Sequence, residues 1–233
     1  MLSFGGVEFV LDTRPGPQRA KSSGNRFVLV KSRQTLSFYD RLRERQPKEI
    51  LEIGIFQGGS LVYFDKLFAP TCLVGIDLKR EPIAALERYR EGKPYIKTFY
   101  GRSQDKVGTR AAAQSSFPRG IDLVVDDASH NYAKTKATFE SIFPLVRPGG
   151  HYVIEDWAWS HRPNAQQRDA PWSSEPALTN LVFNLVVLTA VSRVITSIYL
   201  SESVVCVEKG RGMLPKAKLE VDGYLRGKAL AMI

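Results

Sequence analysis

Four side chains in one stretch have the types and spacing to do chemistry together. Asp127 closes one apolar run, Glu155 and Asp156 close another, and His130 stands three residues past Asp127. The stretch that carries them, IDLVVDDASHNYAKTKATFESIFPLVRPGGHYVIEDW (residues 121–157), reads as strand, helix, strand. Open α/β sheets bind ligands outside the carboxyl ends of their parallel strands. Asp127, Glu155 and Asp156 are therefore expected to converge on one cation. Three hard oxygen donors suit Mg²⁺, and no His/Cys cluster favours zinc. One histidine among these carboxylates does not make the two-His facial triad of non-haem iron. A hydroxyl polarised by such a cation becomes more acidic. His130, whose unperturbed pKa lies near neutral, is the candidate base that takes its proton. The bland reading makes His130 a neighbour of a helix cap at Asn131. Asp126 reads as a loop cap or a ligand contact, and His151, at a strand start, reads as structural.

A second constellation lies upstream, in Glu52-Ile53-Gly54-Ile55-Phe56-Gln57-Gly58-Gly59-Ser60. Glycines between a strand and a helix let a ligand approach the backbone and the free N–H groups of the helix start. The spacing is not the dinucleotide GxGxxG. Glu52 ahead of the first glycine would repel a pyrophosphate and suits a cationic ligand, such as an amino group or a sulfonium. Asp77, closing the next apolar run, is placed to accept hydrogen bonds from ribose hydroxyls.

The elements that must position these groups follow from periodicity. Gln34–Arg45 has a helical spacing (Leu36, Tyr39, Leu42) that Pro47 ends. Strands are expected over 49–54, 71–78, 95–100, 121–127 and 151–157. The helices between them are expected over 60–68, 82–92, 104–114 and 132–146. Pro148-Gly149-Gly150 is expected to stop the last of these. This alternation predicts an α/β, Rossmann-like, mostly parallel sheet. An apolar helix over 176–191, open as a homodimer face or plain core, leads to strands over 194–200 and 204–208. These two form an antiparallel hairpin that brings the sheet to seven strands. Residues 1–33 read as an N-terminal extension, a lid or dimer arm with a short strand at 7–11, and 34–233 as the main domain. The polar loop over 158–173 follows the acidic pair directly, where long loops tend to be functional.

The bulk numbers bound the rest. At 233 residues, with 43% hydrophobic and 24% charged, the chain is an ordinary globular protein. Its two cysteines, Cys72 and Cys206, sit in apolar runs and read as buried thiols of a reducing compartment. The first residues lack a secretory pattern, and Leu181–Val191 is too short to span a bilayer. A cytoplasmic protein is expected. The net charge of +9 permits an acidic partner. However, no basic-aromatic interleaving tracks single-stranded nucleic acid, which argues against that partner.

An acid before a glycine turn, then an acid after the second strand, resembles the cofactor signature of class I S-adenosylmethionine-dependent methyltransferases. The closing hairpin resembles theirs too. DDASH followed by FPLVRPGGHYVIEDW is similar to the motif pair of the Mg²⁺-dependent sugar O-methyltransferases of the macrocin and mycinamicin type. It is also similar to the related family of cephalosporin hydroxylases and rhamnosyl O-methyltransferases. Compact mycobacterial methyltransferases acting on methylmannose polysaccharides are of this type. The resemblance covers about residues 49–160. It implies metal ligands at Asp127, Glu155 and Asp156 and the base at His130. It also implies S-adenosylmethionine contacts at Glu52, Gly54, Gly58, Gly59, Ser60, Asp77 and Asp126. Gly101–Asp105 matches the family only in part, and adenine contacts there fall on Ser103 and Gln104. Tyr132, Trp157, Trp159 and His161 are candidates for a saccharide or small-molecule acceptor, since aromatic faces suit sugar rings; core packing explains Trp157 equally. The competing readings are a methyltransferase for catechol-like phenols, an RNA methyltransferase, and a cofactor-binding module without catalysis.

Overall fold

The computed structural model describes residues 1–14, 16–102, 104, 107–163, 173–212, 214 and 219–228. The N-terminal stretch forms a sheet of its own. In it β1 (Leu2–Phe4) pairs antiparallel with β2 (Val7–Leu11), and β2 pairs parallel with β3 (Arg26–Leu29). Phe9, Phe27 and Leu29 are fully buried in one apolar cluster with Tyr39, Ile50 and Phe64. The N-terminal strands thus share this cluster with residues of the segment beyond residue 33.

After β3 comes α1 (Arg33–Leu42), capped by Ser32, whose side chain accepts from the Thr35 N–H at 3.1 Å. From there strands and helices alternate: β4 (Glu49–Ile53), α2 (Gly59–Phe68), β5 (Cys72–Ile76), α3 (Ala84–Arg90), β6 (Ile96–Phe99), α4 (Gly108–Ser116), β7 (Ile121–Asp126), α5 (Tyr132–Ile142) and β8 (Val146–Glu155). Then follow α6 (Thr179–Val191), β9 (Ile195–Leu200) and β10 (Val204–Lys209). The seven-stranded sheet has the order β6-β5-β4-β7-β8-β10-β9. All neighbours are parallel except the pairs made by β10. This is the class I methyltransferase fold expected from the alternation and the closing hairpin.

One boundary differs instructively. The helix expected to reach Val146 ends at Ile142, and β8 begins at Val146 and runs through Pro148-Gly149-Gly150. Its register against β7 shifts between Ile121 and Leu123. A bulge tolerates a proline and a left-handed glycine that a regular ladder would not. Gly149 has φ +81°.

The strand order reverses between β4 and β7, so a crevice opens outside their carboxyl ends. The N-terminal sheet leans on α2 from one side of that crevice. Gly59 makes this possible, because a Cβ there would lie 1.9 Å from the Val28 carbonyl oxygen.

Candidate active site

The turn after β4 is shaped by close backbone approach. A Cβ on Gly54 would meet the Asp127 carbonyl oxygen at 2.4 Å, so only glycine lets β4 and β7 end side by side there. Asp77 fixes the rest of the loop. Its Oδ2 accepts from the Ile55 and Phe56 N–H groups at 3.1 and 2.9 Å, and its Oδ1 from the Lys79 N–H at 2.8 Å. Gly58 caps α2 in the left-handed region, Gly59 begins the helix, and Ser60 is half-buried in its first turn. Gln57 reaches across to the N-terminal segment. It accepts from the Ser22 N–H at 2.7 Å and donates to the Ala20 carbonyl at 3.1 Å.

Behind the loop, Glu52 is fully buried, and neither carboxylate oxygen has a hydrogen-bond partner of ordinary geometry, although the Ser60 hydroxyl lies near enough to act on it. Burial pushes its carboxyl up to about 8, against the pull of the nearby Lys31 ammonium.

At the carboxyl ends of β7 and β8, Asp127, His130 and Asp156 each offer a ligand atom, and these atoms lie within 4.8 Å of one another. His130 Nε2 is 3.9 Å from Asp127 Oδ1. Asn131 caps α5 by accepting from the Lys134 N–H at 3.1 Å, which leaves His130 just outside the helix. His130 and Asp156 hold φ of +52° and +50°, and Phe56 in the glycine loop +47°. Non-glycine residues rarely sit there, and such strain gathers where a function demands it.

Glu155 does not share that arrangement. It is buried, and its Oε1 accepts from Lys31 Nζ at 2.5 Å and from the Tyr39 hydroxyl at 2.6 Å. Lys31 Nζ also reaches Asp127 Oδ2 at 3.0 Å. The cluster expected from Asp127, Glu155 and Asp156 is therefore gathered here from Asp127, Asp156 and His130. β8 ends at Glu155, and the left-handed backbone of Asp156 just past it turns the two side chains apart. Burial raises the Glu155 carboxyl, as does Asp127 beside it, and the Lys31 charge opposes both.

Asp126 turns inward as well. Its Oδ1 accepts from Gln104 Nε2 at 2.8 Å and its Oδ2 from the Tyr152 hydroxyl at 2.9 Å, and burial pushes its carboxyl up to about 7. Gln104 also accepts from the Ser129 N–H at 3.2 Å, which ties the segment after β6 to the loop after β7. Ser103 lies outside the described residues.

A cleft of about 300 Å³ runs along these loops, lined among others by Gly54, Phe56, Asp77, Lys79, Arg102, Gln104, Asp127 and Lys134. The four expected acceptor residues are not on its walls. Tyr132 and Trp157 pack against the core, and Trp157 Nε1 donates to the Ser201 carbonyl at 2.9 Å. Trp159 and His161 lie in a short 3-10 helix, with His161 Nε2 2.9 Å from Thr179 Oγ1. Residues 164–172, most of the loop expected to be functional, lie outside the described residues. Sequence reasoning did not single out Lys31, Phe56, Lys79 or Arg102. Phe56 carried a weak signal as an aromatic inside a glycine turn, and it is flanked by Arg19 and Lys79 at 5.1 and 5.0 Å. Lys31 carried a weak signal as a lysine closing an apolar run.

Residues 51–157, the span from β4 through the acidic pair, match the family model of the methyltransferase domain. Over that span the chain is similar to methyltransferase domains. The chain is 36% identical over 124 residues to the 8-demethyl-8-alpha-L-rhamnosyl tetracenomycin-C 2'-O-methyltransferase of Streptomyces olivaceus, covering 50% of this chain and 30% of that one. It is 33% identical over 158 residues to the demethylmacrocin O-methyltransferase of Streptomyces fradiae, covering 64% of this chain and 38% of that one. The solved structure of the MycE methyltransferase from the mycinamycin biosynthetic pathway, in complex with Mg and SAH, superposes with a TM-score of 0.58 at 30% identity. The match covers 77% of this chain and 51% of that one. The chain thus spans about a third of the length of these curated relatives and half of the solved methyltransferase. Among the described residues, no helix is long and apolar enough to cross a membrane.

Proposed function

We propose that this methyltransferase domain transfers a methyl group from S-adenosylmethionine to a hydroxyl of a sugar, with Mg²⁺ held at the carboxyl ends of β7 and β8. The sugar would be free, part of an oligosaccharide or polysaccharide precursor, or attached to a small natural product. The observation that carries the reading is the gathering of Asp127, His130 and Asp156 within 4.8 Å, with Asp127 also on the wall of the cleft beside the glycine turn. Two hard carboxylate donors fit Mg²⁺, with waters or acceptor oxygens completing its shell. When bound, the donor supplies a sulfonium methyl and the cation supplies Lewis acidity.

This chain's own residues do the rest. The Asp77-braced loop and Gly54 present backbone to the donor, and Gln104 and Lys79 wall its cleft. Asp127 and Asp156 hold and orient the cation. His130 takes the acceptor proton on Nε2, which already faces Asp127 Oδ1. Holding donor and acceptor in line supplies much of the acceleration.

The test is methyl transfer from S-adenosylmethionine to a panel of rhamnosides, mannosides and catechols, before and after exhaustive EDTA treatment. Activity on a glycoside should vanish with EDTA and return with added Mg²⁺. Full activity in EDTA would end the metal assignment, and transfer to catechols alone would end the sugar assignment. His130→Ala should lower kcat by about 10²–10⁴-fold. Cofactor affinity should stay unchanged, and near-normal turnover would reject the base role.

A further inference from the structure

We propose that Lys31, delivered by the N-terminal sheet, is a positioning residue of the metal centre and its built-in counter-ion. The inference rests on the reading of Asp127 and Asp156 as cation ligands. Lys31 follows β3 and enters the site from outside the segment that carries the methyltransferase motifs. Its side chain is 1% exposed. It spans Asp127 Oδ2 at 3.0 Å and Glu155 Oε1 at 2.5 Å, and the charge of Glu52 also acts on it. Two carboxylates thus share one interior ammonium.

Two consequences follow from this placement. Lys31 claims Oδ2 of Asp127, so the Oδ1 atom is the one held toward His130. Lys31 and Tyr39 together claim Oε1 of Glu155. The acids are therefore oriented before any divalent ion arrives. The ammonium also offsets carboxylate repulsion that the ion would otherwise have to offset, and it repels the incoming ion. Lys31 therefore sets the order of the site and keeps its hold on the cation loose enough to exchange. The N-terminal sheet becomes part of the catalytic apparatus.

The experiment measures Mn²⁺ binding to the full chain by electron paramagnetic resonance, without donor or acceptor, together with thermal unfolding with and without Mn²⁺. Lys31→Met should bind Mn²⁺ about tenfold more tightly than wild type, because the lost repulsion outweighs the lost orientation. It should melt at a lower temperature without metal, and saturating Mn²⁺ should close most of that gap. Lys31→Arg, which keeps the charge, should bind Mn²⁺ within about threefold of wild type. A folded Lys31→Met with unchanged or weaker Mn²⁺ affinity overturns the proposal. Where Lys31→Met does not fold, the double variant Lys31→Met/Glu155→Gln restores the charge balance and should recover the metal-free fold. Failure of the double variant overturns the counter-ion role. A wild type that binds no Mn²⁺ instead removes the metal reading itself. The metal-free melting of these variants would still report on Lys31.

Discussion

Two lysines of this protein are almost equally buried and have opposite fates. Lys31 is 3% exposed and Lys209 is 5% exposed. Lys31 sits at the carboxyl ends of the strands. Burial alone would lower its ammonium, but Asp127, Glu155 and Glu52 overturn that and push it well above the ordinary lysine range. Lys209 ends β10, which runs antiparallel to β8, so it lies at the opposite edge of the sheet. There it meets the Phe143 ring at 4.5 Å and the Phe143 carbonyl at 3.4 Å. No salt bridge joins it to a carboxylate among the described residues. Burial pushes its ammonium down to about 8. The same side chain at the same depth is a held charge at one edge and a cost at the other. What differs is whether the fold has gathered acids around it, and it has done so only beside the cleft.

The sharpest way to test this contrast is to remove each charge in turn. Lys31→Met leaves the buried Glu155 and the half-buried Asp127 without their cation and should destabilise the metal-free protein by about 3–5 kcal/mol, measured by urea unfolding. A loss below about 1 kcal/mol would mean that the acids do not need it. Tyr39→Phe removes the other donor to Glu155 and should cost about 1.5–3 kcal/mol, as for a hydrogen bond to a charged group. No loss at all would show that Lys31 alone satisfies Glu155.

Lys209→Met should act in the opposite sense. At pH 7 the wild type must keep a proton on an ammonium that burial disfavours, so the variant should be more stable by about 1–2 kcal/mol, after discounting the shift for solvent screening. The pH dependence carries the same sign. Between about 8 and 10.5 the unfolded chain binds more protons at this lysine than the folded one. This lysine's contribution therefore makes the wild type gain stability as pH rises through that window, and Lys209→Met should lose that gain. An identical pH profile in both proteins would break the comparison.

The two edges also differ in how far the sequence revealed them. The strands of the main sheet were legible because aliphatic runs bounded by Gly, Pro and Asp report a local periodicity. Asp127, His130 and Asp156 were legible because acids that close such runs stand out. The start of β8 was misplaced, since Pro148-Gly149-Gly150 reads as a stop signal when the partner strand that accepts the bulge is not in view. Glu155 was grouped with Asp156 because both close the same apolar run and because the family resemblance implies the pair as ligands. The left-handed backbone of Asp156, just past the end of β8, separates them. Phe56, Lys79 and Arg102 reach the cleft only because three different loops converge there.

The sequence by itself determined the alternation of strands and helices, the glycine turn with Glu52 before it, and the acids at the strand ends. These features follow from periodicities of two and 3.6 residues and from residue types whose chemistry is carried locally. Only the tertiary structure decided which acids face one another and what balances their charge. Lys31 lies 96 residues from Asp127 and 124 from Glu155 along the chain, so its place at the end of an apolar run does not say which acids it meets. The pairing exists because Gly59 lets the N-terminal sheet lie against α2 and because burying Phe9, Phe27 and Leu29 holds it there. A charge buried by packing that distant in sequence is visible only once the chain has folded.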